Sequence, residues 1–175
     1  AEYRNEEFTI GAGDSASSTA GVLANQGFSL SSNGFPGFAK AISGVFDRSN
    51  TAVYVEADWQ ASDDLVVVGA LRFEDFDDFG TTTNYKLGAN YSITDTTGVR
   101  GTFSTGFKAP TPGQSNASNI STTIDNATGK LVNKGVIPAT SPVALVYGGK
   151  QLQPEDSENM TFGIYTTVGE FEITL

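Results

Sequence analysis

The sequence contains no cysteine and no histidine among its 175 residues. Without these residues the chain has no thiol nucleophile, no Ser-His-Asp triad, no disulfide and no zinc finger. We therefore expect a protein that is not an enzyme and that carries no cofactor. Long apolar runs are also lacking, since the longest, Leu65–Leu71, has seven residues where a transmembrane helix needs about 20. This absence excludes only one class of membrane protein.

Positive charge is scarce, with 10 Lys and Arg against 20 Asp and Glu and a net charge of −10. A protein that binds duplex DNA needs a basic face to neutralise phosphates, so we expect no nucleic-acid partner. The densest acidic run is Glu74-Asp75-Phe76-Asp77-Asp78. Its carboxylates could bind Ca²⁺, but the run lacks the residue order of an EF-hand loop. We interpret it as a solvated loop tip, with Asp75, Asp77 and Asp78 as the alternative metal ligands.

The feature present in abundance is alternation of apolar and polar side chains with a period of two, which is typical of strands with two different faces. It predicts seven strands, at Glu2–Ile10, Thr51–Trp59, Leu65–Glu74, Thr83–Ile93, Val99–Phe107, Met160–Val168 and Glu170–Leu175. An eighth could lie around Ala144–Tyr147. No segment has a clear helical repeat, and Ser15–Asn25 and Gly37–Val45 come nearest to one. The expected fold is all-β, an antiparallel up-and-down transmembrane β-barrel segment of seven to eight strands.

The two faces of these predicted strands differ in chemistry. The polar faces carry charges in mid-strand, at Glu56, Asp58, Arg72, Lys86 and Arg100, whereas the apolar faces almost lack charge. Aromatic residues lie near strand ends, at Trp59, Phe73, Tyr91, Phe107 and Phe171. A lipid-facing band, a wet lumen and interfacial aromatic girdles are typical of transmembrane barrels. A soluble β-meander also alternates and stays the alternative. We expect Arg72 to form a cross-strand ion pair with Glu56 or Asp58.

The connections between predicted strands also differ in length. Those at about 11–50 and 109–157 are long, that at 75–82 is of medium length, and the others are short. In an up-and-down meander all the longer connections then lie at one end, as in outer-membrane barrels. Long loops on a rigid scaffold concentrate recognition, so they are the expected ligand surfaces. The candidate contacts are Phe28, Phe35, Phe38, Phe46 and Tyr147, whose alternative role is to pack the loops themselves.

The strand number bears on completeness. Closed bacterial barrels have an even number of strands, so seven strands predict a partial barrel over residues 1–175. Such a fragment would have two open edges, which invite pairing with other strands and self-association.

Two segments resemble a known family. Arg100–Pro112 is similar to the strand-to-loop signature of TonB-dependent outer-membrane receptors, a Gly-Phe-basic-Ala-Pro pattern that here comprises Gly106, Phe107, Lys108, Ala109 and Pro110. Leu152–Gly163 resembles the motif that follows the loop in that family, here with Leu152, Pro154, Glu155 and Asn159. The two segments occur in the family's order. The prolines have a physical role as well, because they cannot donate to a strand ladder and so end strands.

The resemblance implies a parent with a plugged, 22-stranded barrel in the outer membrane of a Gram-negative bacterium. Such a receptor imports a scarce solute, such as a metal–siderophore complex, cobalamin or a glycan. Its implied partners are outer-membrane lipid, the solute, and the TonB complex, which it meets through the plug region. We expect the plug domain and TonB box to be absent from these residues. The alternatives are a passive porin-like or adhesin-like barrel and a soluble all-β carbohydrate-binding module.

Overall fold

The computed structural model describes residues 1–28 and 37–175. They form nine strands and two short helices. The strands are β1 (Glu2–Ile10), β2 (Gly44–Ser62), β3 (Leu65–Phe76), β4 (Gly80–Ser92), β5 (Thr97–Lys108), β6 (Asn119–Ile124), β7 (Leu131–Val136), β8 (Glu155–Val168) and β9 (Phe171–Thr174), and the helices are α1 (Pro112–Asn116) and α2 (Pro142–Val146).

Seven of the strands form one sheet in the order β1-β2-β3-β4-β5-β8-β9. Strands that follow one another in the chain are adjacent in the sheet, except that β8 pairs with β5 because β6 and β7 lie outside this sheet. The pairs with a defined register, from β2–β3 to β8–β9, are antiparallel. Within the described residues β1 and β9 do not pair with each other, so the sheet is open. The up-and-down, all-β prediction is confirmed.

The chain divides into two compact units. The sheet unit comprises Ala1–Arg4, Ser49–Ala109 and Pro154–Leu175, and the loop unit comprises Asn5–Arg48 and Pro110–Gln153. In the loop unit, β6 and β7 form a separate antiparallel hairpin.

Several predicted element boundaries were wrong. Strand β2 begins at Gly44 and not at Thr51, so the first long connection ends earlier than expected. The connection of medium length is a tight turn at 77–79, because Phe76 pairs directly with Gly80. Gly80 adopts a φ of 96°, which a three-residue hairpin loop requires and which glycine accepts without strain.

No eighth sheet strand lies at Ala144–Tyr147. The structure instead has α2 there, with Ser141 as N-cap, Pro142 in the first turn, and the Ser141 hydroxyl accepting a hydrogen bond from the Ala144 amide at 3.3 Å. The two weakly helical segments contain only single 3₁₀ turns, at Ser15–Ser17, Ala24–Gln26 and Lys40–Ile42.

The strand register confirms the predicted faces. Residues opposite each other in an antiparallel pair lie on the same face. Val55, Leu71 and Tyr85 form one continuous outward row across β2, β3 and β4, and Leu87 faces Phe103 on β5. On the opposite face, Glu56, Ala70, Lys86 and Ser104 form the corresponding polar row.

The outward row is exposed and the sheet has little core of its own. Apart from Pro112 in α1, the buried apolar side chains among the described residues are Ile10, Ala52 and Phe76. Large exposed apolar side chains cover the outward face, and they include Val53, Val55, Trp59, Leu71, Phe73, Tyr85, Leu87, Tyr91, Met160, Phe162, Ile164, Val168 and Phe171. Such a face needs an apolar surrounding, which a lipid bilayer supplies.

The sheet forks at one end between β4 and β5. Their register runs from Ser92↔Gly98 to Lys86↔Ser104 and is not continued beyond it in the described residues. At the next position the amide of Tyr85 donates to the hydroxyl of Thr105 at 3.0 Å, so a side chain replaces the backbone acceptor. The Phe76 ring stacks on Phe79 at 4.5 Å and meets Phe107 edge-on at 5.7 Å. Aromatic contact thus joins the strands where the ladder ends.

Gly98 supplies a test of packing on the polar face. A β-carbon at this position would lie 2.2 Å from the Tyr165 hydroxyl oxygen, which donates to Asn90 Oδ1 at 3.0 Å. We expect Gly98→Ala to displace the Tyr165 ring, break this bond and destabilise the full-length protein by about 1–2 kcal/mol. Guanidinium unfolding from lipid vesicles measures this.

The matched control is Gly69→Ala. A β-carbon there meets only Leu87 Cδ2 at 3.8 Å, an ordinary contact. An equal loss of stability in the two variants would show that crowding against Tyr165 is not the cause.

Candidate functional site

The predicted lumen charges project from one face of the sheet unit. Glu56 and Lys86 flank Ala70 in the same row, Asp58 lies opposite Val68, and Arg100 lies opposite both Asn90 and Gly163. Glu56, Asp58, Lys86 and Arg100 are all exposed. The face therefore presents charges of both signs.

The predicted partner of Arg72 was wrong. Its register partner is Tyr54, whose ring lies 5.5 Å from the guanidinium, and Glu56 lies opposite Ala70 instead. The Arg72 guanidinium donates to Glu2 Oε2 at 3.0 Å and to Glu74 Oε1 at 2.8 Å. Glu74 lies on β3, the same strand as Arg72, whereas Glu2 lies on β1, so the Arg72–Glu2 pair links the first and third strands of the sheet.

The acidic run at 74–78 is solvated only in part. Glu74 is buried and accepts a further hydrogen bond from Asn50 Nδ2 at 3.1 Å. In the turn, Asp77 Oδ2 accepts hydrogen bonds from the Ser49 amide at 2.9 Å and from its hydroxyl at 2.8 Å. Across residues 1–28 and 37–175, no group of three or more acidic side chains is placed to hold a metal ion. Asp75, Asp77 and Asp78 lie at the end of the β3–β4 hairpin.

The two motif segments meet as register partners of β5 and β8. Gly106 lies opposite Ser157, Phe107 opposite Asp156, and Lys108 opposite Glu155. Lys108 Nζ and Glu155 Oε1 are 4.0 Å apart at the exposed strand ends. Ser104 lies opposite Asn159 on the same ladder. Strand β5 ends just before Ala109 and Pro110, and β8 begins just after Leu152 and Pro154, so the prolines do bound the strands.

The aromatic ligand candidates have different surroundings. Tyr147 follows α2 and is 86% exposed, and Phe38 is also exposed, with its carbonyl accepting the Gly13 amide at 2.8 Å. Phe28 is half-buried. Phe46 is half-buried within β2 and not in a loop, which corrects its placement. Phe35 lies outside the described residues.

Sequence reasoning missed a buried arginine in the loop unit. Arg48 lies on β2, its side chain is 5% exposed, and its guanidinium donates to the Glu6 carboxylate and to the Pro110 carbonyl. The sequence did contain a signal for Arg48. Alternate residues of a strand lie on the same face, and positions 48 and 50 continue the polar face formed by 52 and 54. It was missed because the predicted strand began at Thr51.

A second missed feature closes the β6–β7 hairpin. The Thr128 hydroxyl donates to Asp125 Oδ2 at 2.6 Å, and the Ala127 amide donates to Oδ1 at 3.3 Å. These bonds lower the pKa of Asp125, with the Thr128 hydroxyl as the larger cause. Because folding lowers this pKa, the ionised Asp125 carboxylate stabilises the folded hairpin at pH values above its unfolded-state pKa. This stabilisation is lost as the pH falls through the folded-state pKa.

Comparison with known proteins decides the family. The family model described as "TonB dependent receptor-like, beta-barrel" matches residues 2–175. The chain belongs to this family. TonB-dependent receptors are transport receptors and not enzymes, and their barrels lie in the bacterial outer membrane.

Two relatives of the chain are described as vitamin B12 transporters. The chain is 43% identical over 63 residues to the vitamin B12 transporter BtuB of Vibrio vulnificus, covering 36% of this chain and 10% of the relative. It is 28% identical over 122 residues to BtuB of Vibrio cholerae O395, covering 69% of this chain and 15% of the relative. The chain therefore matches less than a sixth of the length of these TonB-dependent receptors.

A solved structure shows the same fold. The siderophore receptor PirA of Pseudomonas aeruginosa matches with a TM-score of 0.58 and 21% identity, over 75% of this chain and 23% of that one. No helix in the described part of the chain is long and apolar enough to cross a membrane.

Proposed function

We propose that the chain forms part of the barrel wall and outer loops of a receptor that imports a scarce solute by TonB-dependent transport. The observation that carries this proposal is the family match over residues 2–175. The candidate solutes are siderophore complexes, cobalamins and glycans, and of these we propose a cobalamin as the transported solute. Support comes from the local identity of 43% to a relative named as a vitamin B12 transporter.

The polar face of the sheet suits the passage of a hydrated solute. The polar face of the sheet carries Glu56, Lys86 and Arg100 as exposed charges of both signs. Such a face suits contact with a polar plug or a hydrated solute. We propose that the chain performs no covalent chemistry, and that coupling to the TonB complex takes place through a plug region outside these residues.

The long connections are the proposed solute contacts. Tyr147 and Phe38 are the candidates in the described residues whose side chains are exposed and free to stack on an apolar part of a ligand. Phe28 and Phe46 are half-buried, so we assign them first to packing within the protein and not to solute contact. The acidic residues Asp75, Asp77 and Asp78 receive no metal in this proposal.

The test is uptake of radiolabelled cyanocobalamin by cells that express the full-length protein. The host is a Gram-negative strain without its own outer-membrane cobalamin transporter, and the matched control is the same strain without TonB. We expect the protein to restore uptake in the first strain and not in the second, with binding to isolated outer membranes in both.

Other results would overturn parts of the proposal. Uptake that does not need TonB would indicate a passive barrel. Binding of a ferric siderophore without binding of cyanocobalamin would overturn the cobalamin assignment alone. Recovery of the full-length protein in the aqueous phase without detergent would favour a soluble carbohydrate-binding module.

A further inference from the structure

A buried guanidinium lies where three segments of the loop unit meet. Arg48, at 5% exposure, contacts Glu6 on β1 and the carbonyl of Pro110, which follows β5 in the chain. A buried charge destabilises a fold unless its hydrogen-bonding capacity is satisfied. The Pro110 carbonyl is one of the acceptors that compensate for the burial of this group.

The residues after Pro110 are packed against β1 as well. Thr111 caps α1, with its hydroxyl accepting the Gln114 amide at 3.1 Å and its own amide donating to Gln114 Oε1 at 2.8 Å. Pro112 is buried, and a β-carbon on Gly113 would lie 3.3 Å from the Phe8 ring. Arg48 thus contacts the residue that precedes the N-cap of α1, and Phe8 lies beside the first turn of the helix.

These contacts with Pro110 and α1 lie at the start of the long connection between β5 and β8. This connection carries β6, β7 and α2, and it includes the exposed Tyr147. When the first residues of the connection are ordered, the chain that follows them can reach fewer positions. Each ordered residue also removes conformational entropy from the connection.

We propose that Arg48 is a positioning residue that anchors this outer connection in the arrangement that binds solute. The inference rests on the proposed function for its ligand. Arginine suits the role because its planar fork donates in two directions at once, to a carboxylate through Nη2 and to a carbonyl through Nη1. A lysine at this position could serve one acceptor well, but not both in this geometry.

The test uses the full-length protein in lipid vesicles, with Arg48→Met, Arg48→Lys and the control Arg4→Met. Arg4 also pairs with a glutamate, Glu2 at 2.8 Å, but its side chain is 54% exposed. Two amides report on α1, because Ser115 donates to the Thr111 carbonyl at 3.1 Å and Ala117 donates to that of Gly113 at 2.8 Å. The measurements are hydrogen exchange at these amides, cyanocobalamin affinity, and the heat-dependent gel mobility that reports an intact barrel.

We expect Arg48→Met to raise exchange at Ser115 and Ala117 about tenfold and to weaken cyanocobalamin binding about tenfold, with gel mobility unchanged. Arg48→Lys should lie between it and the wild type, and it decides the question if Arg48→Met does not fold. Arg4→Met should change neither exchange nor affinity.

Exchange within twofold of the wild type in both Arg48 variants would overturn the anchor. Faster exchange with unchanged affinity would overturn the link from the anchor to binding. If the wild type binds no cyanocobalamin, the proposed solute is wrong, and faster exchange in the Arg48 variants alone still supports the anchor.

Discussion

Replacing Leu71 with arginine should destabilise the full-length protein by about 2–4 kcal/mol, the range for a basic residue on the lipid face at the bilayer midplane. Leu71 lies in the middle of β3 on the outward face, between Val55 and Tyr85, and it is exposed. A charged group there would have to leave water for hydrocarbon. The measurement is the free energy of unfolding from lipid vesicles in guanidinium.

Two controls separate lipid contact from other causes. Ala70→Arg places the same side chain one residue away on the polar face, between Glu56 and Lys86, where opposite charges flank it. Leu65→Arg keeps the outward face but moves the charge to the first residue of β3, where the expected loss falls to about 0–1 kcal/mol. Equal losses in Leu71→Arg and Leu65→Arg would contradict a bilayer around this face, because a protein core has no such dependence on depth.

The assignment of side chains to faces could be predicted because it depends on a local property. Alternation has a period of two in any strand, so Val55 and Glu56 face opposite ways whatever their partners are. The end of β5 at Lys108 was also predictable, since Pro110 cannot continue a ladder, whereas β8 begins at Glu155 and not at the predicted Met160. Both inferences need only residues within a short stretch of chain.

The partners of the charged residues could not be predicted in the same way. Choosing Tyr54 over Glu56 as the neighbour of Arg72 requires the register, which depends on the length of the turn between β2 and β3. Arg48 and Pro110 are 62 positions apart, and no local pattern connects them. At Ala144–Tyr147 a strand was expected, although Ser141 and Pro142 form a helix start that was readable from the sequence.

Replacing Phe76 with alanine should remove about 3 kcal/mol of stability, the lower end of the range for deleting a buried phenylalanine ring. Phe76 is 7% exposed and contacts both Phe79 and Phe107. It lies at the fork, where β3 and β4 pair as far as Phe76↔Gly80, while β4 and β5 stop at Lys86↔Ser104. Because β4 and β5 share no backbone ladder at the fork, backbone hydrogen bonds between them cannot compensate for the lost contact between Phe76 and Phe107.

Phe73→Ala is the matched control for the ring at the fork. Phe73 lies on the same strand but faces outward and is 43% exposed, so lipid can fill the space that its ring leaves. Without a cavity we expect roughly half the loss of Phe76→Ala. Hydrogen exchange at Tyr85, whose amide donates to the Thr105 hydroxyl, should rise in Phe76→Ala and stay unchanged in Phe73→Ala. If the two variants lose equal stability and leave Tyr85 equally protected, the aromatic contact does not close the fork, and Thr105 alone must hold the strands together there.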